Sequence, residues 1–424
     1  SPTAFHAVEN YRQILNADGF KELLESEHWD IVPGGKYYVT RNNTSILAFK
    51  VGTKLDNYSF NIVTSHTDSP TFKVKENAEI EVKNKYTQLN TEGYGGMLCA
   101  TWLDRPLSIA GRVLVSEGNS IVTKLLNIDR DLLMIPNVAI HMNRAANDGF
   151  KYNLQVDMLP LLSGGDDRQK DFKQIIADEL GVKKEDILGH DLYLYNRMAP
   201  SIWGANEEFI SAGHLDDLQC GFASLKALLA GYNDESIDIM ACFDNEEVGS
   251  GTKQGADSTL LRDTLIRINN ALGKTEEDYH RALASSFMLS ADNAHAVHPN
   301  HPEHTDVTNC TYMNEGVVVK SHAGQKYTSD GVSMAVVKSL ASGADVPLQY
   351  FANRSDKAGG STLGNIAMAQ ASMNAVDIGL PQLAMHSSYE TAGIKDTYYA
   401  IALMKALFDS HIQETSTHSL EIKR

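Results

Sequence analysis

The feature that most constrains this chain is an eight-residue run, Ser236–Phe243, that is almost wholly apolar and ends in Asp244-Asn245-Glu246-Glu247. The run reads as a strand buried on both faces, the kind found inside a parallel or mixed sheet covered by helices. Adjacent glutamates at such a strand end are costly. Two like charges about 4 Å apart repel by about 4 kcal/mol at an effective dielectric near 20. A dication is the simplest relief. Because successive side chains of extended backbone point to opposite sides, Glu246 and Glu247 need not share a role.

The same rhythm recurs along the chain. A helix is expected from residue 4 to about 24, a hairpin over 37–51 and a core strand over 59–64. Residues 72–202 change character, with short strands and turns and one helix expected between 164 and 189 after Gly-Gly-Asp-Asp. From Gly204 onward strands and helices of 10–15 residues alternate. Helices are expected over 216–230, 258–272, 331–342, 361–375 and 391–408. Strands are expected over 286–290, 316–320, 347–352 and 378–385. The polar tail after His411 is expected to fray. The expected fold is therefore an α/β mixed sheet with helices on both faces, carried by residues 1–72 and 203–424 and interrupted by a β-rich inserted domain, 73–202.

Composition narrows the function classes. The 424 residues include 37 basic and 54 acidic side chains, a net charge of −17, which argues against nucleic acid or anionic membrane as a partner. No apolar run reaches about 18 residues, and the first residues lack the basic and apolar regions of a signal peptide. Cys99, Cys220, Cys242 and Cys310 are scattered with no CxxC pair, as expected of free thiols in a reducing compartment. The expected location is cytoplasmic.

In sheets of this kind ligands bind beyond the carboxyl ends of the strands. The residues there are His66 and Asp68, Glu246 and Glu247, Asp292, and His386, while Asp216 opens a helix that feeds the next strand. Two imidazoles with several carboxylates suit Zn²⁺, with Mn²⁺ or Co²⁺ as alternatives, and exclude a thiolate structural zinc site. Five carboxylates exceed what one tetrahedral ion takes; they fit two dications about 3.5–4 Å apart with a bridging carboxylate. Asp216 could instead be a helix cap with Asp217 as the ligand. His298, His301 and His304 also suggest a metal site, but Pro299 and Pro302 interrupt the run, and a surface loop is the expectation. The GGSTLG run at Gly359 lacks the full phosphate-loop order, and GxSxG is absent.

Five motifs carry a resemblance: HTDSP at His66, LDDL at Leu215, FDNEEVGS at Phe243, SADNAHAVHPN at Ser290 and MHSSYE at Met385. With YGGMLCATWLDRPL at Tyr94 and IHMNRAAN at Ile140, they resemble the aspartyl aminopeptidases over nearly the whole chain. The resemblance implies a phosphorylase/hydrolase-like catalytic domain, an inserted dimerisation domain, and a dodecamer assembled from dimers. It implies two metal ions, one held by His66 and Asp292 and the other by Glu247 and His386, with Asp216 bridging. Asp68 would orient the ring of His66, and Glu246 would be the general base. His141, His295, Lys320 and Tyr327 match substrate contacts, with His141 supplied by a neighbouring subunit. The implied activity is removal of an N-terminal residue from peptides, acidic ones preferred and neutral ones possible. A co-catalytic carboxypeptidase or deacylase is the alternative within enzymes. A metal-stabilised peptide-binding scaffold is the alternative outside them.

Overall fold

The computed structural model of the protein describes residues 1–165 and 171–424. At its centre is a nine-stranded sheet in the order Lys21–Leu23, Lys36–Arg41, Ser45–Val51, Ser236–Phe243, Ser59–His66, Phe287–Ala291, Asn374–Gly379, Val317–Lys320, Leu348–Phe351. The middle four strands on which the site is built lie side by side. Ser236–Phe243, Ser59–His66, Phe287–Ala291 and Asn374–Gly379 all run parallel, so their carboxyl ends open on the same edge.

The all-apolar strand pattern follows from burial on both faces. Ile237, Ile239, Ala241 and Phe243 point into a core shared with the helices Leu260–Ala271, Glu276–Ala284 and Leu363–Gln370. Met240 and Cys242 point the other way, toward Ala4–Ala17, Leu215–Ala230, Gly331–Gly343 and Ile394–Phe408. Alternate residues of one strand thus feed two different cores, and neither face tolerates an unpaired polar group. Asp238, fully buried, meets that demand by accepting from Asn61 Nδ2 at 3.1 Å and Ser236 Oγ at 3.2 Å.

Burial pushes the Asp238 carboxyl up to about 8 from its ordinary 3.8. A carboxyl that holds its proton more tightly when folded stabilises most below its unfolded pKa. That contribution is lost as pH rises from about 4 toward 8, because unfolding then releases a proton. Asp238→Asn is therefore expected to gain stability relative to the wild type as pH rises across this window. Denaturant titrations at pH 5 and pH 8 check it; a stability difference independent of pH would contradict it.

A second, six-stranded antiparallel sheet is built from residues 71–196, in the order Ser120–Asn127, Leu107–Glu117, Ile187–Asn196, Thr71–Val82, Tyr86–Tyr94, Leu161–Gly164. The helix Phe172–Leu180 covers its core through Phe172, Ile176 and Ala177. This is the helix expected in that stretch; Asp166 and Asp167 of the preceding Gly-Gly-Asp-Asp lie outside the described residues. A five-stranded sheet joins Ser201–Trp203, Phe209–Ala212, Glu390–Gly393, Pro381–Leu383 and Ala294–His295.

Several expectations are corrected. The opening helix ends at Ala17 and Lys21–Leu23 is a strand, and the helix expected over 361–375 ends at Gln370, its last positions giving way to the strand Asn374–Gly379. Residues 378–385 do not form one strand: the chain leaves the central sheet after Gly379 and re-enters pairing as Pro381–Leu383 of the five-stranded sheet. Nor does the tail fray. His411–Ser416 and Ser419–Lys423 form a hairpin whose Ile412 packs into the core, and Arg424 donates to the Ser339 carbonyl at 2.6 Å. The periodic polar pattern there is a half-buried strand, not a solvated end. The four cysteines are unpaired, Cys220 and Cys242 buried and Cys99 and Cys310 half-buried. Among the described residues no helix is long and apolar enough to cross a membrane.

Candidate metal centre

The parallel strands deliver their ends to one pocket. His66 closes its strand, and Asp68 follows in the next turn. The strand Ser236–Phe243 runs into the short 3₁₀ turn Glu246–Val248, and Asn245 just before it takes a left-handed conformation (φ 62°). Asp68 secures that turn: its Oδ1 accepts from the Glu246 N–H at 3.1 Å and its Oδ2 from the Glu247 N–H at 3.2 Å. Tyr94, from the six-stranded sheet, donates to Asp68 Oδ2 at 2.7 Å and accepts from Asn245 Nδ2 at 2.8 Å. The chief partner of the His66 ring is accordingly the Asp68 main chain. Nδ1 lies 3.0 Å from the Asp68 carbonyl oxygen and 3.4 Å from its carboxylate.

Asp216 lies between two histidines. His66 Nε2 is 3.6 Å from its Oδ1, and His386 Nε2 is 3.4 Å from its Oδ2 and 3.3 Å from Glu247 Oε2. Ligand atoms of His66, Asp216 and Asp292 lie within 4.8 Å of one another, and so do those of Asp216, Glu247 and His386. Asp217 faces away, its Oδ2 accepting from the His66 backbone N–H at 3.0 Å.

His386 reaches this pocket by a route the sequence did not suggest. It follows Pro381–Leu383 in a turn where Ala384 and His386 both have positive φ. Its Nδ1 lies 2.8 Å from the Gly96 carbonyl oxygen, so a loop of the six-stranded sheet orients the ring. The neighbouring Gly95 has φ +73°, and a Cβ there would come 3.1 Å from Glu247 Cβ. With its positive φ and this tight contact, glycine is the residue that makes the approach without steric cost. Glu390 completes the frame, accepting from the backbone N–H of Asp216 at 3.0 Å and of His386 at 2.8 Å. Sequence reasoning passed over Glu390 and Tyr94; both stand in motifs that had been singled out, MHSSYE and the run beginning at Tyr94.

The residues present fit divalent cations. Both ring Nδ1 atoms face carbonyl oxygens, which only accept, so each ring in its neutral form turns an Nε2 lone pair toward Asp216. Lone pair and carboxylate repel unless positive charge lies between them. Asp216 Oδ1 and Glu247 Oε1 are moreover buried without a hydrogen-bond partner, a state native proteins rarely leave unexplained. The acids carry the same signature. Burial, then Asp292, Asp68 and Asp216, push Glu246 up to about 8, against the pull of His66. Burial also raises Asp292 to about 6, against the pull of Lys320. Burial raises Glu247 too, and the negative charge of Asp216 adds to it. For Asp216 itself burial is outweighed by the two histidines, which hold it well below the usual carboxylate range. Burial lowers His386, but Asp216 and Glu247 prevail and bring it up to about 10. A cluster of buried carboxylates with this demand for positive charge is one that divalent cations would neutralise.

The chain belongs to the M18 aminopeptidase family. A family model described as aminopeptidase I zinc metalloprotease (M18) matches residues 1–408. The chain is 47% identical over 415 residues, 96% of each chain, to a probable M18 family aminopeptidase 2 of Clostridium novyi. It is similar in structure to Ape4 in complex with Nbr1, with a TM-score of 0.93 at 35% identity, covering 96% of this chain and 83% of that one. It is also similar to the mApe1 dodecamer of S. cerevisiae, with a TM-score of 0.83 at 28% identity, covering 96% and 93%. The protein is thus an M18 aminopeptidase, a peptide hydrolase of a zinc metalloprotease family.

A cavity of about 310 Å³ opens beside this M18 centre. Asp216, Glu246, Glu247, Asp292 and His386 line it together with His295, Lys320 and Tyr327. Lys320 is not a solvated lysine. It is 4% exposed, donates from Nζ to the Asn293 carbonyl at 2.7 Å, and lies 3.9 Å from Asp292 Oδ1 and 5.7 Å from the Tyr327 ring centre. His295 stands exposed with its ring 6.0 Å from that of Phe351. His141 is exposed on the inserted segment and lies outside the cavity of its own chain.

Proposed function

We propose that the protein is a two-metal aminopeptidase that releases N-terminal residues from peptides, acidic ones preferentially and neutral ones more slowly. The observation that carries this reading is the division of the Asp216 carboxylate, one oxygen toward His66 and the other toward His386. His66 and Asp292 would hold one ion and Glu247 and His386 the other, with Asp216 shared; zinc is the first choice, manganese or cobalt the alternatives. When bound, the ions supply Lewis-acid polarisation of the scissile carbonyl and lower the pKa of bound water toward about 7.

The protein's own residues do the rest. Glu246 lines the cavity but is not needed for the two ligand sets, so it is free to take a proton from the attacking water and return it to the leaving amine. Asp68 fixes Glu246 through its backbone and braces the His66 ring, which keeps proton acceptor and ligand in register. Lys320 offers a buried cation at the cavity wall, suited to an acidic side chain of the substrate. Tyr327 and His295 bound the same space.

The division into a phosphorylase/hydrolase-like catalytic part, 1–72 and 203–424, and an inserted part, 73–202, belongs to the same proposal. His141 would then serve the cavity of a neighbouring subunit, with the insert at a dimer contact and dimers building a dodecamer like the S. cerevisiae relative's. A cytoplasmic location accords with the free thiols.

Anilides of Asp, Glu and Leu, each with free and acetylated α-amine, test the substrate reading. The free Asp and Glu anilides are expected to turn over fastest, and acetylation is expected to abolish cleavage. Release of aniline from the blocked compounds at undiminished rate would exclude an aminopeptidase, and release of acetate from them would favour a deacylase.

A further inference from the structure

We infer that His301, Glu303 and His304 form an auxiliary surface site for a late first-row dication, Zn²⁺ in the first instance, separate from the metal centre. Pro302, which by sequence breaks the histidine run, instead helps to build it. The His301 N–H donates to the His298 carbonyl at 3.0 Å and the His304 N–H to the His301 carbonyl at 3.2 Å, giving consecutive four-residue turns that share His301. Pro302 begins the 3₁₀ turn Pro302–His304, where its missing N–H costs nothing. In 3₁₀ geometry residues three apart eclipse, and the His301 and His304 rings stack with centroids 5.3 Å apart and planes 17° apart.

Glu303 turns to the same point. Its Oε1 is 3.2 Å from His301 Nδ1 and 3.6 Å from His304 Nε2. The three ligand atoms lie within 4.8 Å of one another, a spread that a small closure brings to metal-ligand distances. The Glu303 carbonyl accepts from Arg354, which holds the turn from behind. His298 packs its ring 5.3 Å from that of His301. Its Nδ1 already accepts from the Asn300 N–H at 3.2 Å, so it braces the site and is not counted as a ligand.

Two imidazoles and one carboxylate with open positions select a dication of the zinc, nickel or copper type over magnesium or calcium. All three side chains are more than half exposed, so an ion reaches them from solvent and only the small closure of the side chains is needed. The site also bears on the cavity. The loop leaves the wall residue His295 and returns through Thr311, whose Oγ1 donates to the His295 carbonyl at 2.6 Å. An ion would therefore staple the loop that carries His295.

The test is zinc titration of the metal-loaded protein against a competing chelator dye. The wild type is expected to take up one further Zn²⁺ per chain. The double variant His301→Ala with His304→Ala should lose that equivalent while keeping its peptidase activity. Glu303→Gln should weaken it by roughly tenfold or more, as loss of a ligating or supporting group does. Asp216→Asn should retain this equivalent, which separates the surface site from the metal centre. An unchanged number of ions with unchanged affinity in the double variant would overturn the inference.

Discussion

Glu246→Gln is expected to leave folding and metal content intact while peptide hydrolysis falls about 10²–10⁴-fold, the range that a positioned acid–base group contributes. The amide matches the carboxylate in shape but cannot carry a proton between water and amine. The backbone N–H of residue 246 would still donate to Asp68 Oδ1, so the turn Glu246–Val248 should keep its form. The measurements are metal content per chain and kcat/KM on a free Asp anilide. The drop should fall on kcat, because the group acts in the transition state. A variant that cleaves normally would remove Glu246 from the mechanism. A wild type without hydrolysis on any peptide would point to a metal-stabilised scaffold.

The second large effect is expected from Asp216→Asn. An amide nitrogen cannot ligate a cation, so one of the two oxygens facing His66 and His386 is lost. Metal content is expected to fall by at least one ion per chain, and activity to drop at least as far as in Glu246→Gln. Stability offers an independent readout. A ligand that binds only the folded state at about 1,000 times its Kd stabilises by about 4 kcal/mol. Zinc added to chelator-treated wild type should therefore raise Tm by several degrees, and that rise should shrink sharply in Asp216→Asn. The Asp216 backbone N–H still meets Glu390, so the helix start is expected to persist. Full metal content and an undiminished Tm response would show that this carboxylate is not shared between ions.

Much of the centre was legible because charge at the end of an apolar strand is hard to explain otherwise. The pattern of Ser236–Phe243 and the acids after it led directly to Glu246 and Glu247, and the parallel neighbour strand led to His66. The reason for singling out His386 does not hold. The residue reads as the one past a central strand, yet the chain leaves that sheet at Gly379, where a Cβ would come 2.2 Å from the Asp292 carbonyl oxygen. Asp68 was read as a carboxylate orienting an imidazole, but most of its bonds go to backbone N–H groups and Tyr94. Lys320 carries no local sign of its burial. The prolines between His298, His301 and His304 read as interruptions because a 3₁₀ register is invisible to helix and strand periodicity.

By itself the sequence determined the alternation of strands and helices, the double-faced burial of the central strands, and the kinds of ligand at their ends. These follow from solvation of each side chain in its local repeat, which adjacent residues specify. Only the tertiary structure decided which atoms face one another: that Asp216 stands between two Nε2 atoms, that Gly96 aims His386, and that Glu390 ties the Asp216 and His386 segments together. Those relations depend on where separate segments cross, and crossing is settled by packing between elements far apart in the chain.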